Sequence, residues 1–103
     1  MDTAQTNPEF AACTESKIEA ADHRLNAAWN RLFKAEGGSE TDEGRALLNE
    51  QRAWLKFKEV ACSEYFMPLS GREAQVIHGP LCIAAIINDR ADDLINRYKL
   101  MNP

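Results

Sequence analysis

The sequence predicts an all-α domain, a small bundle of three main helices: an antiparallel hairpin followed by a C-terminal helix. Two observations carry this. Apolar residues recur at steps of three and four in three separate segments, and no segment alternates long enough to make a convincing strand. With 103 residues, 45 % hydrophobic and 27 % charged, the chain spans one domain, residues 1–103, large enough for a single core.

Residues 1–7 are polar and expected to be loose. Asn7-Pro8-Glu9 then reads as a helix start: a capping side chain, a ring suited to the first helical position and a carboxylate at the positive end of the dipole. Ile18, Ala21, Leu25, Ala28 and Leu32 form the apolar stripe of the first helix, widened by Trp29 and Phe33. Glu15, Lys17, Glu19, Asp22, Arg24 and Arg31 take the outer face, and Gly37-Gly38 ends the helix. A polar linker over 36–44 offers Ser39, Thr41 and Asp42 as caps. Its acids lack the alternation of a calcium loop.

The second helix is expected from about Asp42 to Tyr65, with Leu47, Leu48, Trp54, Leu55 and Ala61 as its stripe and Gln51 on the same side. Its short connection to the first favours antiparallel packing. Residues 66–79 break the periodicity at Pro68, Gly71 and Gly79, leaving a long loop in which only Ala74 to Ile77 could be extended. The third helix restarts at Pro80. Cys82, Ile83, Ile86, Ile87, Leu94 and Tyr98 face inward, and Asp89, Asp92 and Asp93 outward. The expected core is Ile18, Leu25, Trp29, Leu32, Leu48, Trp54, Leu55, Ile83, Ile86 and Leu94.

Composition narrows function. A net charge of −4 gives no broad positive field for phosphate backbones, which argues against nucleic acid. The apolar run Ile83-Ala84-Ala85-Ile86-Ile87 is far short of the ~20 residues that span a bilayer, so no transmembrane segment is expected. No signal peptide opens the chain, which fits a cytosolic protein or a processed one. Close-spaced metal-ligand pairs are absent, and neither metal nor cofactor is expected. His23 sits on a polar face. A catalytic pairing of a cysteine with His78 lacks an orienting third group.

The topology brings Cys13, Cys62 and Cys82 to one end of the bundle. Bridging Cys62 to Cys82 would close the long loop, although three free or buried thiols remain open on spacing alone.

Several residues then line up in an order that resembles a known family. They run Ala4-Gln5-Thr6, Glu9-Phe10, Cys13, Ala20-Ala21-Asp22, Leu25-Asn26 and Leu48. Next come Glu50-Gln51-Arg52-Ala53-Trp54-Leu55, Phe57-Lys58, Cys62, Gly79, Cys82, Arg90 and Leu94. The order is similar to that of the LprI-like lysozyme-inhibitor family of bacterial envelope proteins, over nearly the whole chain. The resemblance implies a non-enzymatic helical protein exported to the periplasm or cell surface, with Cys62 and Cys82 as a disulfide. Members commonly carry a further cysteine upstream of the position of Cys13, which leaves Cys13 free or paired outside this chain. Its structural motif here is Leu25, Asn26, Gln51, Arg52, Trp54 and Arg90. Asn26 and Arg52 are expected to make structural hydrogen bonds, Trp54 to fill the core and Arg90 to pair with Glu50 or Glu59.

An inhibitor of lysozyme must block a cleft that works through two carboxyl groups. The loop offers Ser70, Gly71, Arg72 and His78, a small turn with hydrogen-bond donors, as the partner-binding residues. The acidic balance would steer the chain toward a basic lysozyme. The alternative is a helical interaction module of the envelope, including an immunity protein against a wall-degrading toxin.

Overall fold

The computed structural model describes residues 7–102, with side chains from residue 12 onward. The expected looseness of residues 1–7 falls almost wholly outside that range. Three helices carry the architecture: α1 (Asn7–Ala35), α2 (Asp42–Val60) and α3 (Gly79–Met101). No strand occurs among the described residues. The helices run up, down and up, so α1 and α3 are parallel and α2 is antiparallel to both.

The tightest pair is α1 with α3, not the α1–α2 hairpin. The cause is the residue spacing. Ala21 and Ala28 alternate with Leu25 and Leu32 on α1, and Ala84 and Ala91 with Ile87 and Leu94 on α3, all of them buried. Small residues at every second seam position let two backbones approach, while the larger neighbours interlock in steps of three and four. Outside the seam, Arg24 pairs with Asp92 and donates to Asn88 Oδ1 at 3.1 Å, and the Arg31 guanidinium lies 5.4 Å from the centre of the Tyr98 ring.

Helix α2 contributes Leu47 to this core, with Trp54 packed against it in part. Three expected core positions are corrected here. Leu55 is 43 % exposed, and Leu48 and Ile86 are only half-buried. The inward line of α2 runs Leu47, Gln51, Trp54 and Lys58, which rotates Leu55 onto a flank. Ile18, Trp29, Trp54 and Ile83 pack around the core rather than inside it, and Lys58 Nζ lies 5.7 Å from the centre of the Trp54 ring. The molecule measures 51 × 28 × 18 Å with a radius of gyration of 16.5 Å, against about 13 Å for a compact chain of this length. Such an elongated body leaves α2 with little apolar burial, and polar and covalent links hold it instead.

The first link is at the turn. Thr41 Oγ1 accepts from the Gly44 N–H at 2.9 Å, capping α2, and donates to the Glu36 carbonyl. Gly44 is buried against the Gly38 backbone, so that a Cβ there would lie 1.7 Å from the Gly38 oxygen. Glycine to alanine inside a helix ordinarily stabilises by about 1 kcal/mol. At Gly44 the sign should reverse, because the obstacle is backbone: Gly44→Ala is expected to lose about 2 kcal/mol or more in a urea melt.

The second link is a polar network at mid-helix. Arg90 is 7 % exposed. Its Nε donates to Gln51 Oε1 at 2.8 Å, and its Nη1 to Glu50 Oε2 at 2.6 Å and Asp93 Oδ2 at 3.1 Å. Its Nη2 is buried with no acceptor among the described residues. Arg97 joins Glu50 at 2.8 Å and Asp93 at 3.1 Å. Asp93, expected on the outer face, therefore belongs to the contact between α2 and α3.

Hydrogen bonding from Arg97 pulls the Glu50 carboxyl below its ordinary value of 4.5, against the opposing effect of burial. A carboxyl whose folded value is depressed stabilises the fold fully above its unfolded value. That contribution should fade as pH falls through 4.5 and below. Melting temperature against pH should show the loss, and Glu50→Gln should flatten it. Glu50 is partly solvent-exposed, so the effect is modest.

Candidate functional site

The third link is covalent, and it builds the segment of most functional interest. Cys62 and Cys82 form a disulfide with Cα atoms 6.0 Å apart, closing the segment between α2 and α3. Helix α2 ends at Val60, short of the expected Tyr65: Ala61 turns extended, with ψ 143°, and Cys62 after it takes a left-handed conformation with φ 68° that no helix continues through. The Ala61 N–H still bonds back to the Phe57 carbonyl at 2.8 Å.

The tether that follows is irregular only at its joints. Ser63–Phe66 and Pro68–Ser70 are short 3₁₀ turns, and Ala74–His78 is a π turn that runs on into α3. The stretch Ala74 to Ile77 is thus helical, not extended. Proline and glycine divide this segment into single turns, each too short to show a period. Gly71, at φ 91°, supplies the one reversal between them that a side chain would oppose.

Short-range bonds hold the tether. Ser70 N donates to the Met67 carbonyl at 3.0 Å, and Gln75 Nε2 donates to the same carbonyl at 3.0 Å. Ser70 Oγ donates to the Glu64 carbonyl. The Phe66 ring lies flat against Gly79, where a Cβ would come within 2.5 Å of it. The start of α1 packs beside the π turn, and Thr14 there is buried.

Ser70, Gly71, Arg72 and His78 are all exposed on this tether. The Ser70 hydroxyl serves the fold through Glu64, and Arg72 is engaged within the chain. His78 Nε2 lies 3.6 Å from Glu73 Oε1. Of the motif residues, Leu25, Gln51 and Arg90 are buried and Trp54 is half-buried. Asn26 and Arg52 are exposed and make no side-chain hydrogen bond among the described residues, contrary to expectation. Cys13 is exposed and free. No group of His, Cys, Asp or Glu among the described residues is placed to hold a metal ion, and no helix there is long and apolar enough to cross a membrane.

Sequence reasoning missed the apolar character of the tether. Phe66 is 42 %, Met67 57 % and Leu69 101 % exposed, and Phe57 and Val60 continue the same exposure onto α2. An open cleft of about 470 Å³ lies between α2 and the tether, lined by Ala61, Phe66, Met67, Pro68 and Ile83 with Lys58. The signal was the run Tyr65-Phe66-Met67-Pro68-Leu69, apolar yet without a helical period to bury it.

Fold and site together define a small all-α protein that presents a cross-linked, partly apolar segment at one end of an elongated bundle. Residues 1–94 match the family model described as lysozyme inhibitor LprI, and the chain belongs to that family. No curated protein and no solved structure matched it.

Proposed function

We propose that this protein inhibits a lysozyme outside the cytoplasm, by binding rather than by turnover, and that the tether between Met67 and Gly79 makes the decisive contact. The observation that carries the reading is the cross-linked tether with Leu69 wholly exposed, on a chain whose family is described as lysozyme inhibitors. A segment ordered before binding loses less entropy on complex formation. An exposed leucine flanked by donors suits an interface whose centre is apolar and whose rim engages carboxylates. Arg72 and His78 supply the donors, and the net negative charge favours encounter with a basic enzyme. The Cys62–Cys82 disulfide supports an oxidising compartment.

A turbidity assay on a cell-wall suspension tests this with chicken-type, goose-type and invertebrate-type lysozymes. Leu69→Asp and Arg72→Ala should each weaken inhibition by about 2 kcal/mol, close to thirtyfold in the inhibition constant. Helical content should be unchanged, since both side chains lie outside the core. Full potency in the double variant would move the contact to the exposed faces of α1 and α2. No inhibition of any of the three classes would favour the envelope interaction module.

A further inference from the structure

A second surface lies on the other side of the molecule. Between the later halves of α1 and α3 is a cavity of about 180 Å³ that no residue of α2 lines. Its walls are Ala27, Ala28, Ile95 and Tyr98, and three cations stand around it: Arg24, Arg31 and Lys99. The cavity exists because α1 places alanines at 27 and 28, where a larger residue would close the gap to α3.

Its size and charge together select the occupant. Sites for free small molecules usually run from about 300 Å³ upward, so this one is too small for a cofactor. It suits a single large apolar side chain of a polypeptide. Its charge runs against that of the whole chain, which is −4. Arg24 is paired with Asp92, but Arg31 and Lys99 have no carboxylate partner among the described residues. The Arg31 guanidinium is held over the Tyr98 ring at 5.4 Å, which orients it at the mouth of the cavity without neutralising it.

We propose that this groove is a docking site for an acidic polypeptide segment. The segment inserts one leucine, phenylalanine or tryptophan between Ala27 and Ile95 and sets flanking glutamates or aspartates against Arg31 and Lys99. Helical presentation fits, because a carboxylate one turn from the anchor would reach either cation. The partner's charge is the opposite of that expected for the tether's target. The two surfaces are also apart: from Cys82 to Ile95 the helix rises about 20 Å. The protein can therefore engage two partners at once, one at each surface.

The test uses the oxidised full chain, isotopically labelled, and amide chemical shifts. The probes are synthetic helical peptides with one leucine, phenylalanine or tryptophan flanked by glutamates, matched peptides with lysines, and decanoate. The glutamate peptides should shift Ala27, Arg31, Ile95 and Lys99, and the lysine peptides should not. An Arg31→Glu, Lys99→Glu variant should weaken binding roughly tenfold or more. Ala27→Trp, which fills the groove from an exposed position, should do the same. Both variants should inhibit lysozyme as the parent does, so loss of this site and loss of the tether's activity are read separately. Equal binding of the lysine peptides would overturn the proposal, as would shifts from decanoate alone. So would shifts confined to the tether, or groove shifts that grow with protein concentration and mark a second copy as the occupant.

Discussion

Replacing both Cys62 and Cys82 by serine should cost the fold about 3 kcal/mol, the loop-closure entropy that a bridge across 20 positions removes from the unfolded chain. In a domain of this length that shifts the melting temperature down by roughly 15 °C. The elongated shape makes this loss serious, because α2 has few buried apolar side chains to compensate. The effect on inhibition should be larger still. Without the bridge, Cys62 has no reason to hold its left-handed turn, and the tether is left to Phe66 against Gly79, the packing of α1 beside the π turn and its own short bonds. Calorimetry and the turbidity assay, run with and without a dithiol reductant, should show the parent converging on the double variant. An unreduced variant that melts with the parent would mean that the tether stays closed by packing alone.

Arg90→Ala should destabilise by about 2–3 kcal/mol, from the Gln51 acceptor left unpaired and the packing lost around a buried side chain, while Glu50 and Asp93, both more than a third exposed, keep Arg97. The truncation strips Gln51 Oε1 of its donor, leaves the Glu50 carboxylate to Arg97 alone and opens a hole beside Trp54. Arg90→Lys should recover little, because an ammonium cannot fork between Gln51 and Glu50 as the guanidinium does. A Gln51→Leu, Arg90→Met pair should recover most of the loss, since apolar groups of similar volume ask for no partners. Midpoints of urea unfolding at constant slope would measure all three. A loss below about 1 kcal/mol for Arg90→Ala would show that the disulfide and Leu47 suffice to hold α2.

The period of α1 was written in its own residues: Ala21, Leu25, Ala28 and Leu32 are the buried line that their spacing describes. The third helix was legible in its period and in part of its inner face, since Ile87 and Leu94 are buried as their spacing describes. Its alanines were not: the seam also runs through Ala84 and Ala91, where small side chains allow the close approach of α1, and Ile86 is only half-buried. Leu55 misled for a related reason. Hydrophobicity marks what can be buried, and the rotation of α2 is decided by what it must reach: Arg90 from Gln51, and Cys82 from Cys62.

The local chemistry of this protein was determined by the sequence alone: three helices, the break at Gly37-Gly38, a cap from among Ser39, Thr41 and Asp42, and membership of a family readable from residues strung along the chain. These depend on neighbours within a few positions, or on order, and a linear string contains both. The tertiary structure decided which helices press closest, that Arg90 is a buried hub, that Phe66, Met67 and Leu69 face solvent, and that a basic-rimmed cavity opens between Ala27 and Ile95. Each of these depends on the distance between residues many turns apart. That distance is set by side-chain sizes on two helices at once, which no single segment encodes.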